Sequence, residues 1–271
     1  MATKHTLPAI LLLLAAPHSP AASLTPAAES AFQEYASKVE TRLASQHAAA
    51  STYLAASSPV SSAEPLAGAN FQIEPVNGGT WQVEAALLHH WRATAFVPRA
   101  TAQKMLTLLR DFGHLPANYA PQVVSARVLS QNGDAARVAM RIQQDRVLTI
   151  VLDGEYALES KLDAPTRGYS ISRSIRIRQI EQAGSPDERA LDFGHDDGFL
   201  WHLNSYWSFQ SATENSVEGV RIQCEAISLT RDIPRGLGWL IAPIIRDFPR
   251  EALEFTMQST IKALQSPASQ K

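Results

Sequence analysis

The sequence predicts an α+β fold: seven antiparallel strands curling as a grip around one long C-terminal helix, with a helical extension in front. Three observations predict it. From Trp81 onward, stretches with a period of two alternate with turn residues at short spacing. The long stretch near the end has the 3.6 period of a helix. A third stretch, near the start, has helical spacing, no glycine, and its proline in the first turn.

Residues 1–23 read as a secretory signal peptide: weakly basic MATKH, the apolar run LPAILLLLAAP, then the small residues of SPAAS. The apolar run stops at Pro17, short of the ~20 residues that a membrane-spanning helix needs. Cleavage is expected near Ala21 to Ser23, which places the protein in the periplasm or outside the cell; no cysteine at that border suggests a lipid anchor. Residues 24–55 are read as an N-terminal helix, with Thr25 as cap, Pro26 in the first turn and Glu29 beside it. Its stripe of Phe32, Tyr35, Val39 and Leu43 needs a surface to pack on, either the main domain or a second copy in a homodimer. Alanine, serine and proline mark 56–78 as a linker, and 79–267 as the main domain.

Trp81 to Val97 reads as the first strand, with Leu87, His89, Trp91, Ala93, Ala95 and Val97 on one side and Pro98 ending it. A short helix follows, capped by Thr101 and stopped at Gly113. VVSARVLS and ARVAMRI flank Asn132-Gly133, a hairpin signal. VLTIVLDGEYALES, YSISRSIRIRQI, FLWHLNSYWSF and VRIQCEAISLT supply the remaining strands, with a polar insertion over 181–198. The closing helix begins near Arg250 and shows one face of Leu253, Met257, Ile261 and Leu264.

Composition excludes several classes. A net charge of −2 without a block of like charge argues against a nucleic-acid partner. One cysteine, Cys224, cannot form an internal disulfide, and in a strand it reads as a small buried hydrophobe. No nucleophile elbow, phosphate loop or paired-histidine metal motif is present. Asp192, His195, Asp196, Asp197 and His202 form a polar cluster, but in a glycine-flanked connection they read as a solvated loop rather than a metal site. No cofactor is expected.

The order of elements and the segment LLRDFGHLPANYAPQVVSARVLSQNGD resemble the START-like superfamily of polyketide cyclases, lipid-transfer domains and coenzyme-Q-binding proteins. The carriers are Asp111-Phe112 at the end of the first helix and Pro121-Gln122-Val123 leading into the next strand. GFLWHLNSYWSF and the segment from Cys224 to Thr256 are similar to an exported bacterial branch of that superfamily. The resemblance implies a helix-grip fold and a cavity that takes a hydrophobic small molecule such as a lipid, quinone, sterol or polyketide. It implies no catalytic signature.

Strand parity nominates the residues that would line such a cavity: His89, Trp91, Tyr169, Arg173, Trp201, Ser205, Trp207 and Glu225. For the last strand either side fits the core. An inward Arg173 needs a carboxylate such as Glu225 or a polar group of a ligand. His89, Arg173, Ser205 and Glu225 are expected to orient that group; were the protein an enzyme, His89 and Glu225 would be its acid–base pair. A structural envelope protein with a filled core is the third reading. The connection 232–249 carries Trp239 and Ile241 in an apolar run with Gly236 and Gly238, which reads as a lid over the cavity. The alternatives are a core plug and a tip in transient contact with a membrane.

Overall fold

In a computed structural model of the chain, the described residues are 22–56, 71–145, 149–233 and 238–266, with the backbone alone described for 238–245. The expected signal peptide up to residue 21 and the linker from 57 to 70 lie outside them.

The elements run β1 (Ala22–Ser23), α1 (Pro26–His47), a 3₁₀ turn at Ala50–Thr52, β2 (Phe71–Val83), β3 (Ala86–Pro98) and α2 (Ala102–Arg110). A 3₁₀ turn at Phe112–His114 and α3 (Leu115–Asn118) lead to β4 (Val123–Asn132), β5 (Ala135–Asp145), β6 (Thr149–Ala164) and β7 (Arg167–Glu181). Then follow β8 (Arg189–Ala190), β9 (His195–Asp196), β10 (His202–Glu214), β11 (Val217–Arg231) and α4 (Gly238–Gln265). One nine-stranded sheet has the order β2-β3-β11-β10-β7-β6-β5-β4, with β8 alongside β7; β1 pairs with β9 separately. Every pairing is antiparallel.

The sheet thus has more strands than the seven expected. The stretch from Trp81 to Val97 is a hairpin rather than one strand: β2 ends at Val83, Glu84 turns with a φ of 48°, and β3 starts at Ala86. Alternation carries on through this tight turn, and no glycine or proline marks it. β2 begins at Phe71, inside the stretch read as linker. The expected connection up to Pro249 is largely helical, because α4 starts at Gly238 and takes Pro243 and Pro249 into its length. A proline removes one helical hydrogen bond and argues against a helix locally, but the turns on either side can override it.

α4 packs on β2, β3 and β11, while α2 leans on β6, β7 and β10. This defines an inner face of the sheet. Leu253, Met257, Ile261 and Leu264 of α4 join Ala93, Ala95, Val97, Phe209, Val220 and Ile222 in its largest core cluster. Met257 is completely buried. Met257→Ala is expected to cost about 2–5 kcal/mol in urea unfolding, through lost burial plus the cavity left behind.

The outer face is covered by α1. Thr25 accepts a hydrogen bond from the Ala28 amide, as a cap should. Ala28, Phe32, Ala36, Val39 and Leu43 pack against Leu88, Trp201, Tyr206, Ile227 and Leu229. Of the two surfaces expected for the apolar stripe, the main domain or a second copy, the sheet of its own chain is the one that buries it.

Candidate functional site

Between α2, α3 and α4 and the inner face lies a cavity of about 250 Å³. Its floor is sheet and its roof is helix. Leu152, Tyr156 and Leu158 of β6 lie on one side, Phe248, Ala252 and Thr256 of α4 on another, and Leu108 and Phe112 close a third. Through Gln122, Gln144, Phe248, Ala252 and Phe255, which line both, it continues into a polar depression of about 440 Å³.

The inner face beneath the cavity is built partly of small residues. Register sets Ser172 of β7 opposite Ser205 of β10, and Ser205 opposite Ala226 of β11. Cys224 and Ser228 flank Ala226 on the same side of β11 and also line the cavity. Where α4 makes close contact, the same face carries Phe209, Val220 and Ile222 instead. Gly154 is small for a related reason: a Cβ there would lie 2.6 Å from the Tyr156 Oη, whose ring covers it.

The ionisable groups in the wall are uncharged. Burial pushes Tyr119 up to about 12, and Tyr119 shares a hydrogen bond of 2.9 Å with Thr260. Burial likewise raises Tyr156 and the Cys224 thiol well above their ordinary values.

Of the residues nominated from sequence, Ser205 and Trp207 line this cavity. His89 and Trp91 share its face of the sheet without lining it. His89 is fully buried, with Nδ1 2.9 Å from the Thr80 hydroxyl and Nε2 2.9 Å from that of Thr230. Burial lowers it to about 4, so its imidazole is neutral and both nitrogens are engaged.

Tyr169, Arg173, Trp201 and Glu225 belong to the α1 side. Arg173 makes a bidentate pair with Glu40 at 2.7 and 2.9 Å, not with Glu225. Tyr169 stacks on His47 near the end of α1, with ring centres 5.2 Å apart. Trp201 donates to Asp196 and packs in the α1 cluster. Glu225 lies beneath α1, bonded to His90 at 2.9 Å and Arg42 at 2.5 Å, with Arg92 3.8 Å away. His90, on the same outer face, is 1% exposed. His89 and Glu225 thus stand on opposite faces of the sheet and cannot act as an acid–base pair. Arg173 and Glu225 cannot orient a ligand in the cavity.

The cause of the Arg173 error is a β-bulge. Tyr156 pairs with Ser174 but Glu155 pairs with Arg176, leaving Ile175 as an extra residue. Odd positions before it face α1, and Ile177 after it faces the core. Ser170 and Ser172, on the even side, were missed for the same reason. The small face of β11 was the sequence signal that would have found Cys224, Ala226 and Ser228. Of the proposed lid, 234–237 lies outside the described residues; Trp239 and Ile241 fall in the opening turns of α4, where the backbone alone is described. Among the described residues no cluster is arranged to hold a metal ion.

An antiparallel sheet holds a long C-terminal helix on its inner face, with two short helices between β3 and β4 and a cavity beneath. The fold is a helix grip. No family model and no curated protein matches the chain. Among solved structures it is similar to the ZhuI aromatase/cyclase from Streptomyces sp. R1128, at 15% identity over 65% of this chain and 91% of that one, with a TM-score of 0.42. It is similar to a STAR-related lipid transfer protein from Xanthomonas axonopodis, at 17% identity over 73% and 94%, with a TM-score of 0.44. Human STARD10 matches at 10% identity over 70% and 74%, with a TM-score of 0.43.

Proposed function

We propose that this protein binds a hydrophobic small molecule between its sheet and its C-terminal helix, without chemical change. The observation that carries this is the cavity of about 250 Å³ with an apolar wall. That volume is just below the roughly 300–1,000 Å³ usual for ligand pockets, so it suits one compact ring system or a single chain rather than a two-chain lipid. Each methylene removed from water there adds about 0.8 kcal/mol to binding. The leader-like residues 1–23 favour an exported carrier, working in the periplasm or outside the cell.

The test uses the neutral fluorescent probe N-phenylnaphthylamine and the single thiol, Cys224, which lines the cavity and is 1% exposed. Binding should saturate at one probe per chain, and saturation should slow the reaction of Cys224 with N-ethylmaleimide at least about tenfold. A probe that binds without protecting Cys224 sits elsewhere and overturns the reading, as does no binding at all.

A further inference from the structure

The described wall of the cavity holds no lysine, arginine, histidine, aspartate or glutamate, and its tyrosines and cysteine are neutral. Its polar groups are hydroxyls and, toward the outer depression, the amides of Gln122 and Gln144. Three of the seven hydroxyls are already committed. Ser170 shares a hydrogen bond of 2.6 Å with Ser160, Tyr119 is bonded to Thr260, and Thr256 donates to the Ala252 carbonyl. Ser172, Ser205 and Ser228 differ: among the described residues none of these hydroxyls has a partner, and none is sealed from the cavity as the orphaned Tyr156 Oη is; of the three, Ser172 and Ser205 form a cross-strand pair.

These two serines stand directly opposite one another on neighbouring strands. Side chains opposed in an antiparallel pair lie close enough to reach one shared atom. Two hydroxyl donors on one oxygen match a carbonyl, which accepts through two lone pairs; an alcohol can accept from one serine and donate to the other. A charged group has no such match. An ionised carboxylate or ammonium taken into an apolar site without a counter-charge loses far more solvation than a hydroxyl or carbonyl does.

We infer that the ligand carries an uncharged oxygen function, a carbonyl or hydroxyl, seated on Ser172 and Ser205, and that charged amphiphiles are rejected. This rests on the binding reading above and names the ligand's chemical class. It makes Ser172 and Ser205 the residues that set orientation within the cavity, with Ser228 nearby on β11.

The experiment is displacement of N-phenylnaphthylamine by four molecules sharing one medium-length alkyl chain: the plain alkane, the methyl ketone, the carboxylate and the quaternary ammonium. The full chain and its Ser172→Ala/Ser205→Ala double variant are compared. The ketone should bind the unmodified protein at least about tenfold more tightly than either charged molecule. In the double variant the preference for ketone over alkane should fall about tenfold, with the alkane's own affinity unchanged. A carboxylate or ammonium that binds as tightly as the ketone overturns the inference, as does a preference that survives loss of both hydroxyls; in either case the cavity remains a binding site. If not even the alkane displaces the probe, the binding reading itself falls, and this inference with it.

Discussion

Glu225→Leu is expected to destabilise the fold by about 3–5 kcal/mol in urea unfolding, the range for breaking a buried ion pair from one side. Glu225 is 1% exposed and accepts from His90 and Arg42, with Arg92 close by and itself paired to Glu74 at 2.7 Å. Burial alone would raise its carboxyl; the His90 hydrogen bond and the Arg42 and Arg92 charges outweigh it and hold the carboxyl below its ordinary value. Removing the carboxylate leaves Arg92, 14% exposed, facing a half-satisfied network, and loosens the grip of Arg42 on the sheet. The pH dependence has a definite sign. A carboxyl lowered by folding contributes in full above its unfolded value, near pH 4.3, and the contribution is lost as pH falls through the folded value. The stability curves of the parent and variant should therefore converge in acid. A gap that stays constant down to the acid transition would show that packing, not the charge, was lost.

The adjacent residue should behave in the opposite way. Ala226→Phe places a ring on the inner face, where Ala226 lines the cavity. Binding of N-phenylnaphthylamine should weaken at least about a hundredfold, which corresponds to roughly 2.8 kcal/mol. Stability should change by no more than about 1–3 kcal/mol, because the ring enters existing space at the cost of some overpacking. Unimpaired probe binding in a folded Ala226→Phe protein would place the probe outside the cavity. Neighbouring positions on one strand thus separate the two faces: Glu225 holds α1 down, and Ala226 leaves room for a ligand.

Local signals were legible wherever one short stretch contained the whole cause. Thr25 and Thr101 cap their helices, accepting from the amides of Ala28 and Lys104. Asn132-Gly133 turns between β4 and β5, with Gly133 at a φ of 58°. The face of Leu253, Met257, Ile261 and Leu264 is the face that α4 buries.

The site was less legible, because its parts depend on which way a strand faces. Ser205 and Trp207 were found by parity. Arg173 and Tyr169 were misplaced because the bulge at Ile175 shifts the phase of β7 midway. Glu225 invited a role in the cavity because a charge in a strand asks for a partner, and the partners, Arg42 on α1 and His90 on β3, come from distant parts of the chain. A sequence lists charges; which of them meet is set by docking.

By itself, then, the sequence determined most of the alternating strands, the two long helices and the Thr25 and Thr101 caps, since each depends on periodicity and nearest neighbours. The tertiary structure alone decided that α1 lies on the sheet's outer face, that Arg173 and Glu225 serve that contact, and that Ser172, Ser205 and Ala226 bound an unfilled space. The physical reason is that a cavity is a mismatch between two packed surfaces. Here small inner-face residues lie beneath α4 and the short helices α2 and α3, and that coincidence belongs to no single stretch of chain.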